Sequence, residues 1–211
     1  LTEGSDYAVD LQTGEITLKA KHETLKATYE YADPTKVTED DIKGGIDSAT
    51  GKRQGFELLR DGFNLYGADA KILICPEFDK TASCAAALTT LAEQLKAVAY
   101  VQLPKGTSLS DAIKGRGPLG TINASASTER ARHFFPYAIG SSNTLESLAV
   151  HAAGLRMKTD TENGYWFSTS NRPLQGVIGM EIPLTARVDD EQSETNQLNA
   201  VGITTIFNSF G

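Results

Sequence analysis

The sequence predicts an α/β fold: a mixed sheet flanked by helices, with a β-rich N-terminal piece in front. Three observations carry this. Two continuous apolar runs, Lys71-Ile-Leu-Ile-Cys-Pro76 and Ala97-Val-Ala-Tyr-Val-Gln-Leu103, have the composition of strands covered on both faces, and each stops at a proline. Between them, residues 81–96 place Leu88, Leu91, Ala92 and Leu95 on one helical face. Strand, helix and strand with short links make a βαβ unit, which requires a parallel pair. Residues 7–31 instead alternate with period two.

In chain order, Tyr7–Val9, Ile16–Leu18 and Leu25–Tyr31 read as strands, with Thr13-Gly14 as the turn between the first two. Asp33-Pro34 ends the β run. Residues 36–42 form a polar link in which Thr38 can cap a helix, and Gly44, Gly45 and Gly51 punctuate a loop. Residues 56–63 form a helix with an apolar face, and Lys71–Pro76 is then a central strand. Residues 109–113 form a short helix before a Gly-rich loop, and Arg132–Phe135 is a third strand closed by Pro136. Ser142–Lys158 reads as one helix, capped at Ser142-Asn143, with Leu145, Leu148, Ala149, Ala152 and Leu155 on its stripe. Gln192–Ala200 is a polar helix preceded by three acids that suit its dipole, and Ile203–Phe207 is a last strand.

The chain has 211 residues, 40% hydrophobic and 22% charged, enough apolar material for a real core. No stretch approaches the roughly 18 apolar residues of a membrane helix. Residues 1–50 carry 5 Lys and 11 Asp/Glu, a net charge of -6, while residues 51–211 carry 15 basic and 16 acidic residues, a net of -1. An acidic front and a neutral body argue against a phosphate-backbone binder. The shift near residue 50 sets the expected boundary: 1–51 as a β-rich partial domain or insertion, 52–211 as the α/β core domain. The start without Met and the end straight after an apolar run imply a chain cut from something longer.

The motifs that carry chemistry fail one by one. Cys75 and Cys84 have eight residues between them, neither a C-x-x-C pair nor a disulfide framework, and read as buried hydrophobes in a reduced compartment. Gly115-Arg-Gly-Pro-Leu-Gly120 matches G-x-G-x-x-G but follows a helix instead of a strand. Gly45–Gly51-Lys52-Arg53 has one residue too many for a P-loop, and Arg53 replaces the Mg²⁺-binding hydroxyl. His22, His133 and His151 are isolated, without a carboxylate or second His at ligand spacing. Asp189, Asp190, Glu191 and Glu194 lack the Ca²⁺-loop spacing and read as a solvated helix start. There is no nucleophile elbow, and the sequon Asn123-Ala-Ser125 has no secretory context. Catalytic, cofactor-binding and metal residues are therefore expected to be none. Tyr165-Trp166-Phe167 on a strand would point to both faces; core and partner contact both stand as readings.

Several segments together resemble the contractile tail sheath proteins of phages and prophages. They are Tyr29–Thr38, Asp41-Ile42, Gly44-Gly45 and Thr50-Gly51; then Lys71–Pro76; then Ala152–Arg156, Gly164-Tyr-Trp166, Ser168 and Ser170-Asn171. Gly176-Val-Ile-Gly179, Ile182-Pro-Leu184, Asn196–Asn199 and Gly202–Ile206 continue the likeness in order, over nearly the whole chain. The resemblance implies a structural subunit of a contractile sheath that polymerises around a tail tube and contracts to drive it through a target envelope. Its partners would be other sheath subunits, in hexameric rings stacked helically, and the tail tube protein, with no nucleic acid and no membrane. It implies no cofactor and no catalytic residue. Its place would be the virion tail sheath, assembled in the host bacterial cytoplasm. Segments beyond both ends of this chain would carry the arms that link subunits, so this stretch alone is expected to be monomeric. The alternative from another class is a nucleotide-binding α/β enzyme domain built on residues 71–103, which would need a Gly-rich turn where the sequence has Glu77-Phe-Asp-Lys80.

Overall fold

The computed structural model describes residues 1–211 except 22, 23, 25, 27, 29, 117–128, 188 and 209–211, and of Arg116 only the backbone. The expected strand Leu25–Tyr31, the end of the Gly-rich loop, the sequon and His22 thus lie outside the described residues, wholly or in part. The chain forms two compact units, 1–36 and 37–211.

In the first unit, β1 (Tyr7–Val9) and β2 (Ile16–Leu18) pair antiparallel, Tyr7 opposite Leu18. The turn expected at Thr13-Gly14 is present: Gly14 has φ 75°, and Asp10 Oδ1 accepts the amides of Gln12 and Thr13. None of its described residues is buried.

The second unit opens with α1 (Glu39–Lys43), where Thr38 makes a full capping box with Asp41. β3 (Gly45–Ile46) and β4 (Arg53–Gln54) form a small hairpin. Its backbone crosses α1 so closely that a Cβ on Gly44 would lie 1.9 Å from the Gln54 carbonyl oxygen, and one on Gly55 would lie 2.4 Å from that of Ile42. The expected helix at 56–63 is a 3₁₀ segment, Gly55–Asp61, running into α2 (Gly62–Tyr66).

The main sheet contains β5 (Ile72–Ile74), β6 (Val98–Gln102), β7 (Ala131–Phe134) and β11 (Ile203–Thr204) in the order β11-β7-β6-β5, all parallel. Helix α3 (Ala82–Leu95), capped by Thr81, joins β5 to β6 as expected. It packs Leu88, Leu91 and Ala92 against Leu73, Ala99 and Val101. Burying one such leucine contributes about 2 kcal/mol. The opposite face, through Ile72, Val98, Tyr100 and Phe134, packs against α5 (Leu148–Asn163). The strands' period of two thus divides the apolar runs between two helices. A third cluster, Leu103, Ala112, Phe135, Leu198 and Ile203, joins the strand ends to α4 (Leu109–Arg116) and α6 (Glu194–Ala200).

Two expectations are corrected. The run Lys71–Pro76 is not a central strand: β5 is the edge of its sheet, and Ile74 remains 40% exposed. Helices on both faces make it apolar throughout, so composition mimics a centre. Nor does a helix start at Ser142. Residues 142–146 belong to a hairpin of β8 (Ala138–Gly140) and β9 (Leu145–Glu146), turned by Asn143 at φ 58°, and α5 begins at Leu148. With β10 (Val177–Met180) they form a separate antiparallel sheet, β10-β8-β9. The fold is α/β, with parallel and antiparallel pairings in different sheets.

Candidate functional site

Helix α5 ends at Gly164, whose φ of 96° turns the chain sharply, and the Trp166 indole occupies the space a Cβ would need, 2.6 Å away. The Phe167 amide donates to the Gly164 carbonyl at 3.1 Å and closes the turn. Tyr165-Trp166-Phe167 is therefore not a strand. All three rings project outward, 81%, 70% and 44% exposed, and the reading as core falls. Tyr165 and Trp166 meet edge to face at 5.2 Å.

Two arginines hold this turn. Arg156 donates to the Phe167 carbonyl at 2.6 Å and pairs with Asp160, one helical turn along α5. Arg172 donates to the Ser168 carbonyl at 3.0 Å and to Asn163 Oδ1 at 2.9 Å, and its guanidinium lies 5.8 Å from the Phe167 ring centre. The aromatic display is thus fixed from both sides. Beside it opens a cleft of about 300 Å³ between the sheet and α5, lined by Lys71, Arg132, Arg156, Asp160 and Tyr165 among others. Arg132 stacks 5.9 Å over Tyr100, and Lys71 stands 3.8 Å from Asp69. Sequence reasoning found the aromatics but missed Arg156, Arg172, Lys71 and Arg132. The one available signal was the i, i+4 spacing of Arg156 and Asp160 on a long helix.

The other candidates sit apart. The Gly45–Gly51 loop spends its own amides: Asp47 Oδ1 accepts from Ala49 and Thr50, and Arg53 pairs with Asp61. Gly115 lies inside α4, and 117–120 are outside the described residues. Cys75 and Cys84 are buried free thiols, and burial pushes Cys75 up to about 11. His133 is buried in β7, and His151 on α5 has a carboxylate neighbour that its expected isolation excludes: its Nε2 is 2.7 Å from Oε2 of Glu146 on β9. Among the described residues no group of three metal-ligating side chains forms, and no helix is long and apolar enough to cross a membrane.

The turn after β5, where a nucleotide enzyme would open a Gly-rich loop, is closed instead. The Asp79 amide donates to the Cys75 carbonyl at 2.9 Å, and its buried carboxylate accepts the Gln102 amide at 2.9 Å. Burial pushes that carboxyl up to about 6. Gln102 then reaches α5, its Oε1 accepting from the Ala149 amide at 3.2 Å.

Residues 51–211 match the model of the phage tail sheath protein central domain. The chain belongs to the phage tail sheath family. It is 48% identical to the tail sheath protein of Burkholderia phage BcepMu across 99% of this chain and 46% of that protein. It is 29% identical to a putative prophage major tail sheath protein of Pseudomonas aeruginosa, across 99% of this chain and 53% of that one. The chain thus spans about half the length of these curated relatives. Its fold is similar to a chain in the cryo-EM structure of the anti-feeding prophage baseplate, 6-fold symmetrised, with a TM-score of 0.51, 17% identity, and coverage of 78% of this chain and 40% of that one. These relatives give no support to the nucleotide-binding alternative.

Proposed function

We propose that this chain is the core of a structural subunit of a contractile tail sheath, polymerising around a tail tube and contracting to drive it through a target envelope. The observation that carries the reading is the sheath-family match over residues 51–211, joined to a sheath relative aligned along 99% of the chain. Residues 52–211 are the body of the sheath core, residues 37–51 pack onto it within one compact unit, and 1–36 are part of a neighbouring domain or insertion. The partners are further sheath subunits, in helically stacked hexameric rings, and the tail tube protein. The subunit is not an enzyme; it is built in the host bacterial cytoplasm and acts in the virion tail.

Contraction is work done by exchanging contacts between stiff bodies, with no bond made or broken. A parallel sheet covered on both faces supplies stiffness. The braced aromatic turn supplies a preformed anchor at low entropic cost. Electron microscopy of the full-length gene product tests the reading: tubes or stacked rings are expected, and dispersed monomers alone overturn it. Trp166, the only tryptophan, gives a second readout. Its emission should shift to the blue and become shielded from quencher on assembly if the turn lies at a subunit contact.

A further inference from the structure

We infer that the cleft beside the aromatic turn receives the acidic turn Asp189–Glu191 of a second copy of this chain, which rests on the proposal that copies assemble. The receiving side is positively charged and aromatic. Lys71 and Arg156 already stand against Asp69 and Asp160, so the net positive charge of the cleft is that of Arg132, which lies over the Tyr100 ring, and Tyr165 forms one wall. Its volume of about 300 Å³ suits a few side chains, not a folded element.

The donating side is already on the molecule. Asp189, Asp190 and Glu191 are consecutive and exposed, with exposed Arg187 as their basic neighbour. The segment is held in shape by α6: Asn196 Nδ2 donates to the Arg187 and Asp190 carbonyls at 2.9 and 2.8 Å, and the Ser193 amide donates to Asp190 O at 3.0 Å. Both partners are therefore preorganised, which lowers the cost of docking.

Their placement decides the kind of contact. Lys71 adjoins β5, one edge of the parallel sheet, while the acidic turn leads into α6, which packs beside β11 at the opposite edge. A neighbour that seats its acidic turn in this cleft leaves its own cleft open to a further copy. Matching turn to cleft makes a heterologous, head-to-tail contact, which propagates into closed rings or open helices. Arginine and lysine facing carboxylates steer such encounters and fix their register.

The test is carbodiimide coupling on the full-length gene product, using a mixture of ¹⁴N- and ¹⁵N-labelled protein. An amide between Lys71 Nζ and a carboxylate of residues 189–191 is expected as a mixed-isotope cross-linked peptide. Its yield should fall about tenfold or more between 0.05 and 0.5 M NaCl, as screening shortens the reach of exposed charge. Lys71→Glu with Arg132→Glu should abolish association, as should Asp189→Lys with Glu191→Lys, and mixing the two charge-reversed proteins should restore it. The milder Lys71→Gln with Arg132→Gln, checked by thermal unfolding, covers any folding defect in the first pair. Cross-linked dimers without this peptide, or no rescue on mixing, overturn the contact. Tubes that form equally well from the Lys71→Glu, Arg132→Glu protein overturn it too while leaving the sheath reading intact. Absence of tubes from the unaltered protein overturns the sheath reading itself, and the contact with it.

Discussion

Asp79 shows what a single buried carboxylate does to this body. It is almost wholly buried, and it accepts the Gln102 amide at 2.9 Å. Removal from water outweighs that hydrogen bond and pushes its carboxyl from 3.8 up to about 6. The folded chain thus holds this proton more tightly than the unfolded chain does. The stabilising contribution is full below the ordinary carboxylate value and is lost as the pH rises through about 6. Asp79→Asn keeps an acceptor oxygen and removes the charge. The difference in unfolding free energy between variant and parent should move by about 2 kcal/mol in the variant's favour between pH 4 and pH 7.5. Urea titrations across that range check this; a difference that does not change with pH refutes it. At Gly164 the constraint is steric. An alanine there must displace the Trp166 ring, 2.6 Å from its Cβ, and would sit at φ 96°. Gly164→Ala should cost about 1–3 kcal/mol and alter the tryptophan emission of the folded protein.

At the scale of elements, α5 is started from outside. Its N-cap residue Ser147 makes no capping bond to the helix. The Ala149 amide is met instead by Gln102 Oε1, reaching across from β6, while Gln102 Nε2 donates to the Phe134 carbonyl at 3.1 Å. One side chain thereby ties β6, β7 and α5 together in a buried setting where an unmade bond is expensive. Gln102→Leu should lose about 3 kcal/mol, and Ser147→Ala less than about 1 kcal/mol, reversing the order that N-cap identity alone suggests. Chemical denaturation of the two variants decides. The same region shows how far sequence reaches. α3 was legible because its apolar spacing answers to one helical period, β6 and β7 because their runs stop at a proline, and α6 because three acids precede a short polar run. The β8–β9 hairpin was not, because Leu145 keeps helical register with Leu148 and Ala149 until the Gly140 amide finds the Thr144 carbonyl. The edge position of β5 was also hidden, since cover by α3 and α5 leaves the same composition as two further strands would. At the site, three adjacent aromatics announced themselves. Their common outward direction depended on a glycine at positive φ and on two arginines that brace the turn, for which the i, i+4 spacing of Arg156 and Asp160 was the one local signal.

At the scale of the whole molecule, the hydrophobic organisation is one-sided. All three apolar clusters lie within residues 37–211, and the described residues of 1–36 include no buried side chain. Folding free energy follows apolar area removed from water, so the larger unit holds nearly all of it. The division falls at Lys36/Val37, upstream of the composition change at residue 51, because α1 and the β3–β4 hairpin belong to the larger body. Ile42 packs on the α3 cluster, and Gly44 and Gly55 let the two backbones cross at a separation no Cβ tolerates. A cut at residue 51 would discard that seam, while a cut after Lys36 keeps it. A chain of residues 37–211 should therefore unfold cooperatively with a midpoint within about 3 °C of the parent, a shift worth roughly 1 kcal/mol. A chain of residues 52–211 should melt lower by roughly 6 °C or more, since it loses α1, its capping box and the Ile42 contact. Calorimetry of both truncations against the 211-residue chain separates the cases, and equal midpoints for the two would mean that residues 37–51 contribute nothing to the stability of the core.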